Sequence, residues 1–158
     1  AYARIVAARP TQAARMPAPH SPCTCFRLRR AARLVSQIYD HALAGAGLNV
    51  NQYSLLRHAR TPQSLGTLAA SLGMDRTTLS RNLQPLLRDG LVAEVRDEDP
   101  RRRVLALTAA GRQRLARARP LWQRAQRRID ALPGSGPLGQ LHAALDALDG
   151  ALAKETGE

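Results

Sequence analysis

Between residues 64 and 87 the apolar side chains obey two helical periods separated by a turn, and this pattern restricts the fold more than any other feature of the chain. Leu65, Leu68, Ala69 and Leu72 share one face of a short helix that Ser64 caps. Gly73 supplies the turn. Asp75 then caps a second helix, where its carboxylate also complements the positive helix end, and Leu79, Leu83 and Leu87 form the inner face. This is a helix-turn-helix pattern. Pro85 interrupts the second helix, at about 3 kcal/mol or more for an interior proline. Because the leucines at 86 and 87 continue the inner face, the expectation is a kinked helix that persists to Gly90.

The flanking segments extend the prediction. Ser21 and Pro22 suit a helix start, and Leu28, Ala31, Leu34, Val35, Ile38 and Ala42 then recur along an amphipathic helix that ends at the glycines of 44–47. A second helix runs from Asn49 to Arg60 and stops before Pro62. Leu91–Val95 and Val104–Leu107 read as a β-hairpin with a charged tip over Arg96–Arg103. Thr108 caps a further helix with a seam of Leu115, Ala118, Trp122, Ala125 and Ile129. After the break at Pro133–Pro137, a last helix carries Leu138, Leu141, Leu145, Leu148 and Leu152. The predicted fold class is mainly α with a small β-hairpin wing: a winged helix-turn-helix flanked by dimerisation helices. Its parts are an N-terminal tail over 1–20, dimerisation helix one over 21–48, the winged helix-turn-helix over 49–108, and C-terminal dimerisation helices over 109–158.

Composition fits this reading and narrows the partners. The chain has 158 residues and a formal net charge of +12, which favours polyanions. The excess does not locate a binding surface, since it is +6 over residues 1–48 and +3 over each of 49–108 and 109–158. All but one of the basic residues are arginine, a bias that coding composition alone could produce. Residues 1–22 lack acids and resemble a transit peptide in composition, although Met16 within them suggests a natural start. The expectation is a cytoplasmic protein without a membrane partner: no apolar run approaches spanning length, and Cys23 and Cys25, one residue apart, form no disulfide framework. Catalysis is not expected, because the chain has no Gly-rich phosphate loop, no Ser/His/Asp grouping and no paired carboxylates. His20, His41, His58 and His142 are scattered. His20, Cys23 and Cys25 are too closely spaced for a structural zinc site, so neither metal nor cofactor is predicted.

At about 100° per residue, leucines facing inward turn Thr77, Thr78, Arg81, Gln84 and Arg88 outward. Such a helix fits the major groove of double-stranded DNA with its N-terminal residues nearest the base edges. Arg81 can donate bidentately to guanine, and Thr77 and Thr78 can meet a thymine methyl or a phosphate. Arg76, Asn82 and Gln84 complete the candidate face, with Ser64 and Thr67 placed for backbone phosphates. Arg101, Arg102 and Arg103 lie at or beside the hairpin tip, where a narrow minor groove attracts arginine. A solvated helical hairpin with a charged turn remains the competing reading, as does a winged-helix module that binds protein and not DNA.

With these motifs the chain resembles the multiple antibiotic resistance regulator (MarR) family over roughly residues 23–155. The resemblance is most specific at Ser64–Leu72, in Asp75-Arg-Thr-Thr-Leu-Ser-Arg-Asn-Leu83, over Leu86–Val92, and in Asp99-Pro-Arg101 followed by Leu107-Thr108-Ala-Ala-Gly111. It implies a homodimer with interlocked terminal helices and two winged heads on a palindromic operator, usually acting as a repressor. It also implies that Arg101 enters the minor groove and that Asp99 orients it. Family members respond either to a small aromatic effector or to cysteine oxidation. Tyr39, Tyr53, His58 and Trp122 are the candidate ligand-pocket residues, each equally explicable as core. Cys25, followed by Phe26 at the start of helix one, matches the reactive position of the organic hydroperoxide repressors, and Tyr39 matches a supporting tyrosine. A second tyrosine of that subfamily would fall near Val50 and is missing.

Overall fold

The structure, a computed structural model, describes residues 21–95, 103–132, 136 and 138–156. The expected tail over 1–20 and most of the hairpin tip, Asp99, Arg101 and Arg102 included, lie outside the described residues. Contacts divide the chain into two compact units, Ala1–Arg33 and Leu34–Glu158.

The described part of the first unit holds the start of helix α1 (Thr24–Leu43), which continues into the second. This helix opens three residues later than Ser21. The Ser21 hydroxyl accepts the N–H of Cys23 at 3.2 Å in a local turn, and the helical ladder begins with the Arg27 N–H on the Cys23 carbonyl, also at 3.2 Å.

In the second unit α1 ends in a 3₁₀ turn (Ala44–Ala46). Gly47 closes it at φ 65°, a left-handed conformation that glycine adopts without a side-chain clash. Helix α2 (Val50–His58) begins with a capping box, in which the Asn49 side chain accepts the Gln52 N–H and the Gln52 side chain accepts the Asn49 N–H. The Gln63 side-chain amide donates to the His58 carbonyl at its other end. Strand β1 (Gln63–Ser64) leads into α3 (Leu65–Ser71), and Gly73, at φ 58°, turns the chain into α4 (Arg76–Arg88). The fourth helix persists through Pro85, whose carbonyl accepts the Asp89 N–H at 2.9 Å. Strands β2 (Val92–Val95) and β3 (Val104–Leu107) follow, then α5 (Ala109–Asp130) and α6 (Leu138–Thr156).

The sheet contains one strand more than expected. Its order is β1-β3-β2, antiparallel throughout, with Ser64 opposite Val104 and Val95 opposite Val104 on the other side. The added strand has only two residues, and the Leu65 N–H extends it by bonding the Arg103 carbonyl at 3.2 Å. The expected hairpin is therefore the outer part of a three-stranded wing whose third member runs directly into the helix-turn-helix.

Leu43, Leu55, Leu56, Leu68, Leu79, Leu86 and Leu105 are fully buried and join α1, α2, α3, α4 and β3 in one core. Burying each such side chain contributes about 1.5–3 kcal/mol. On α4 the buried positions are Leu79, Leu83 and Leu86, while Leu87 packs only partly against the core. The proline at 85 sits one residue before the most enclosed of these leucines, and that packing offsets its lost hydrogen bond.

Candidate DNA interface

The capping chemistry of α4 sets the orientation of its outer face. Asp75 adopts extended backbone, and its carboxylate accepts the Thr78 N–H at 2.9 Å and the Thr78 hydroxyl at 2.6 Å. These bonds, the hydroxyl first and the amide second, hold the Asp75 carboxyl below its ordinary value. One consequence concerns recognition. The Thr78 hydroxyl proton is already committed, so the methyl and the acceptor lone pairs of Thr78 are what the helix offers outward.

Arg76, Thr77, Thr78, Arg81, Gln84 and Arg88 are all exposed on this helix. Asn82 departs from them. It is half-buried and its side-chain amide approaches Met74 Sδ at 3.7 Å, toward the turn between α3 and α4. Ser64 is also occupied: its Oγ accepts the Thr67 N–H at 3.1 Å and lies 2.9 Å from Thr67 Oγ1, as the cap of α3. Thr67 itself is exposed. The Arg76 guanidinium lies near Gly66, where a Cβ would come within 3.7 Å of Nη2, so it is carried at the junction of the two helices.

The wing base is braced across its strands. Arg103 Nε donates to Glu94 at 3.1 Å, with a second guanidinium nitrogen on the other carboxylate oxygen, a two-pronged pairing. Both residues are largely exposed, and the pair spans β2 and β3 where the hairpin leaves the sheet.

The four candidate pocket residues separate into a group of three and one outlier. Trp122 stacks against Tyr39 with ring centroids 6.1 Å apart and against Tyr53 at 5.9 Å. Arg57 lies over the Trp122 ring at 5.7 Å. The Tyr39 hydroxyl donates to Gln126, whose amide donates to Asp130 at 2.9 Å. Burial raises the phenol pKa of both tyrosines, and Asp130 raises that of Tyr39 further. His58 instead rests on the Ser54 carbonyl of its own helix at 2.8 Å. The rings thus pack on one another, while a cleft elsewhere on α5 is lined by Arg60, Leu107, Arg112, Leu115, Ala116 and Arg119. Sequence reading did not identify this cleft. The i, i+3, i+4, i+7 spacing of its α5 members was visible, but nothing linked it to Arg60.

Cys23 and Cys25 are both free and exposed. Among the described residues no group of three His, Cys, Asp or Glu side chains could hold a metal ion. No helix among them is long and apolar enough to cross a membrane.

Comparison with known proteins agrees with this geometry. A family model described as a helix-turn-helix domain matches residues 53–95. No curated protein sequence matches the chain. Among solved structures, the Mycobacterium tuberculosis transcriptional regulator MosR in complex with DNA is 38% identical. The match covers 86% of this chain and 98% of that one, with a TM-score of 0.72. The transcriptional repressor CouR, bound to a 23-mer DNA duplex, is 29% identical over 80% of this chain and 92% of its own, also at 0.72. A transcriptional regulator of the MarR family from Rhodococcus sp. RHA1 is 25% identical over 81% and 96%, at 0.67.

Proposed function

The chain belongs to the MarR family of transcriptional regulators, and we propose that it is a cytoplasmic repressor that binds a palindromic operator in double-stranded DNA as a homodimer and releases it on binding a small effector. The observation that carries this reading is the outer face of α4. Its polar residues are exposed on a helix whose apolar residues are sunk in the core, and the wing base stands beside it. In this assignment Arg81, with Thr77 and Gln84, reads base edges. Arg76 and Thr67 approach phosphates, while the Thr78 methyl meets a thymine methyl. Arg101 reaches the minor groove from the hairpin tip with Asp99 orienting it, as the family resemblance implies, and Arg102 beside it adds positive charge there. Asn82 serves the turn in place of a base.

The homodimer is supported by what α6 leaves uncovered. None of its described side chains is buried, and Leu141 and Leu152 remain 49% and 51% exposed. A seam of five leucines, of which Leu138, Leu145 and Leu148 are half-buried and Leu141 and Leu152 exposed, fits a second copy, and two-fold symmetry then matches two half-sites. The aromatic stack of Tyr39, Tyr53 and Trp122 joins α1, α2 and α5, which makes it a place where an aromatic effector would disturb both the dimer helices and the head.

The reading is tested by fluorescence anisotropy on the chain's own upstream palindrome and on random duplex at one salt concentration. Two chains per duplex and preference for the palindrome support it. Equal affinity for both duplexes overturns it in favour of a protein-binding winged helix. A second reading, oxidation control through Cys25, is favoured by the exposure of that thiol in the first turn of α1. Loss of operator binding with organic hydroperoxide, abolished in Cys25→Ser, is its signature.

A further inference from the structure

The cleft on α5 carries a chemistry that the DNA-binding face does not use. Arg112, Leu115, Ala116 and Arg119 follow one another at helical spacing along one face of α5. Arg60, just past α2, and Leu107, at the end of β3, complete a cleft of about 350 Å³. Arg112 is held in place because its Nη1 donates to the Leu107 carbonyl at 2.9 Å, which leaves its remaining N–H groups to point elsewhere. Among the described residues no carboxylate pairs with any of the three guanidinium groups. Three guanidinium groups with no carboxylate partner among the described residues therefore line one concavity together with Leu107, Leu115 and Ala116.

We propose that this cleft is a binding site for a small phosphate monoester with a compact apolar body. A guanidinium offers two parallel N–H donors matched to phosphate oxygens, and three of them suit a dianion better than the single charge of a carboxylate. The apolar wall adds affinity for the organic part and disfavours inorganic phosphate, which would leave it wet. The volume lies at the small end of ligand pockets, about 300–1,000 Å³, and so excludes a large nucleotide. The inference goes beyond the DNA-binding reading and does not rest on it, since occupancy can be measured with no DNA present.

The test is calorimetric titration of the full chain with phenyl phosphate and, separately, with inorganic phosphate, in phosphate-free buffer. The expected result is one phenyl phosphate per chain, bound on the order of tenfold tighter than inorganic phosphate. Arg60→Gln and Arg119→Gln should each weaken it about 10-fold or more, the range for a hydrogen bond to a charged group. Ala116→Leu, at an exposed position, should block the cleft without changing charge or fold, whereas Arg124→Gln, outside the cleft, should bind as wild type. Absence of saturable heat, equal affinity for the two phosphates, or equal weakening by Arg124→Gln overturns the proposal. So does a loss of ligand-free DNA affinity in Arg119→Gln matching its loss of phenyl phosphate, because the cleft would then seat the DNA backbone.

Discussion

Gly111 lies so close to Leu91 that a Cβ on it would overlap the Leu91 carbonyl oxygen and stand 2.9 Å from the carbonyl carbon. The same turn is bound from the other side. The Thr108 N–H donates to Leu91 O at 3.2 Å, the Thr108 hydroxyl donates to Gly90 O at 2.6 Å, and its oxygen accepts the Gly111 N–H at 3.0 Å. The Leu-Thr-x-x-Gly sequence is thus a clamp between the end of α4 and the start of α5. Gly111→Ala should lower stability by about 1–3 kcal/mol, the range for overpacking, as a fall in the midpoint of thermal unfolding. An unchanged midpoint would show that the turn yields without strain.

Acid should loosen the start of α4. The Asp75 carboxyl is held below its ordinary value of 3.8, so the folded chain keeps the carboxylate where the unfolded chain takes up a proton. The resulting stability is complete above that ordinary value and is lost as pH falls through the lowered one. Asp75→Asn retains a cap acceptor but has no proton to gain, and urea unfolding across this acid range should therefore show a shallower decline than in wild type.

Arg81→Ala should cost about 1–3 kcal/mol of operator affinity and flatten the preference among half-site variants. Arg76→Ala should weaken palindrome and random duplex together and lower the salt dependence. Anisotropy titrations at several salt concentrations separate the two. Identical behaviour of both variants would withdraw the base-reading role from Arg81.

Leu141→Glu combined with Leu152→Glu places charge in the α6 seam. Neither leucine is buried within the chain, so the variant should keep its fold and shift sedimentation from dimer to monomer. Operator affinity should fall with it, since each head then binds alone.

The aromatic stack predicts an alkaline weakness. Burial first and Asp130 second raise the Tyr39 pKa above 10.0, so the unfolded chain ionises this phenol before the folded chain does. Its stabilising contribution is complete below 10.0 and is lost as pH rises through the native value. Tyr39→Phe removes that dependence, and the hydrogen bond to Gln126 with it, at about 0.5–1.5 kcal/mol. Thermal unfolding on either side of the tyrosine range reads both effects.

Much of this fold is legible in local chemistry. Ser64, Asp75 and Thr108 each cap the helix that follows, because a short polar side chain before an apolar period has few other uses. Ser21 misled for the same reason: with Pro22 after it, it has the form of a cap, yet its hydroxyl serves a turn. Strand β1 was illegible because two residues carry no alternation, and only pairing with Val104 and Leu105 defines it. Likewise the face of α4 reads as Leu79, Leu83, Leu87 from an ideal period, whereas the structure buries Leu86 beside Pro85. In the candidate site, the outward direction of Arg81 and Gln84 follows from periodicity alone. The convergence of Arg60 on Arg112 and Arg119 does not, since it depends on where β3 delivers Leu107 to α5.

Ser64 is at once the last residue of a strand and the cap of a helix. No slack segment separates strand β1 from the helix pair, so the base of the wing and α3 are held at a fixed spacing. In the proposed homodimer, a silencing signal would therefore leave each head intact and change the distance or angle between the two, much as one opens tongs without bending the jaws.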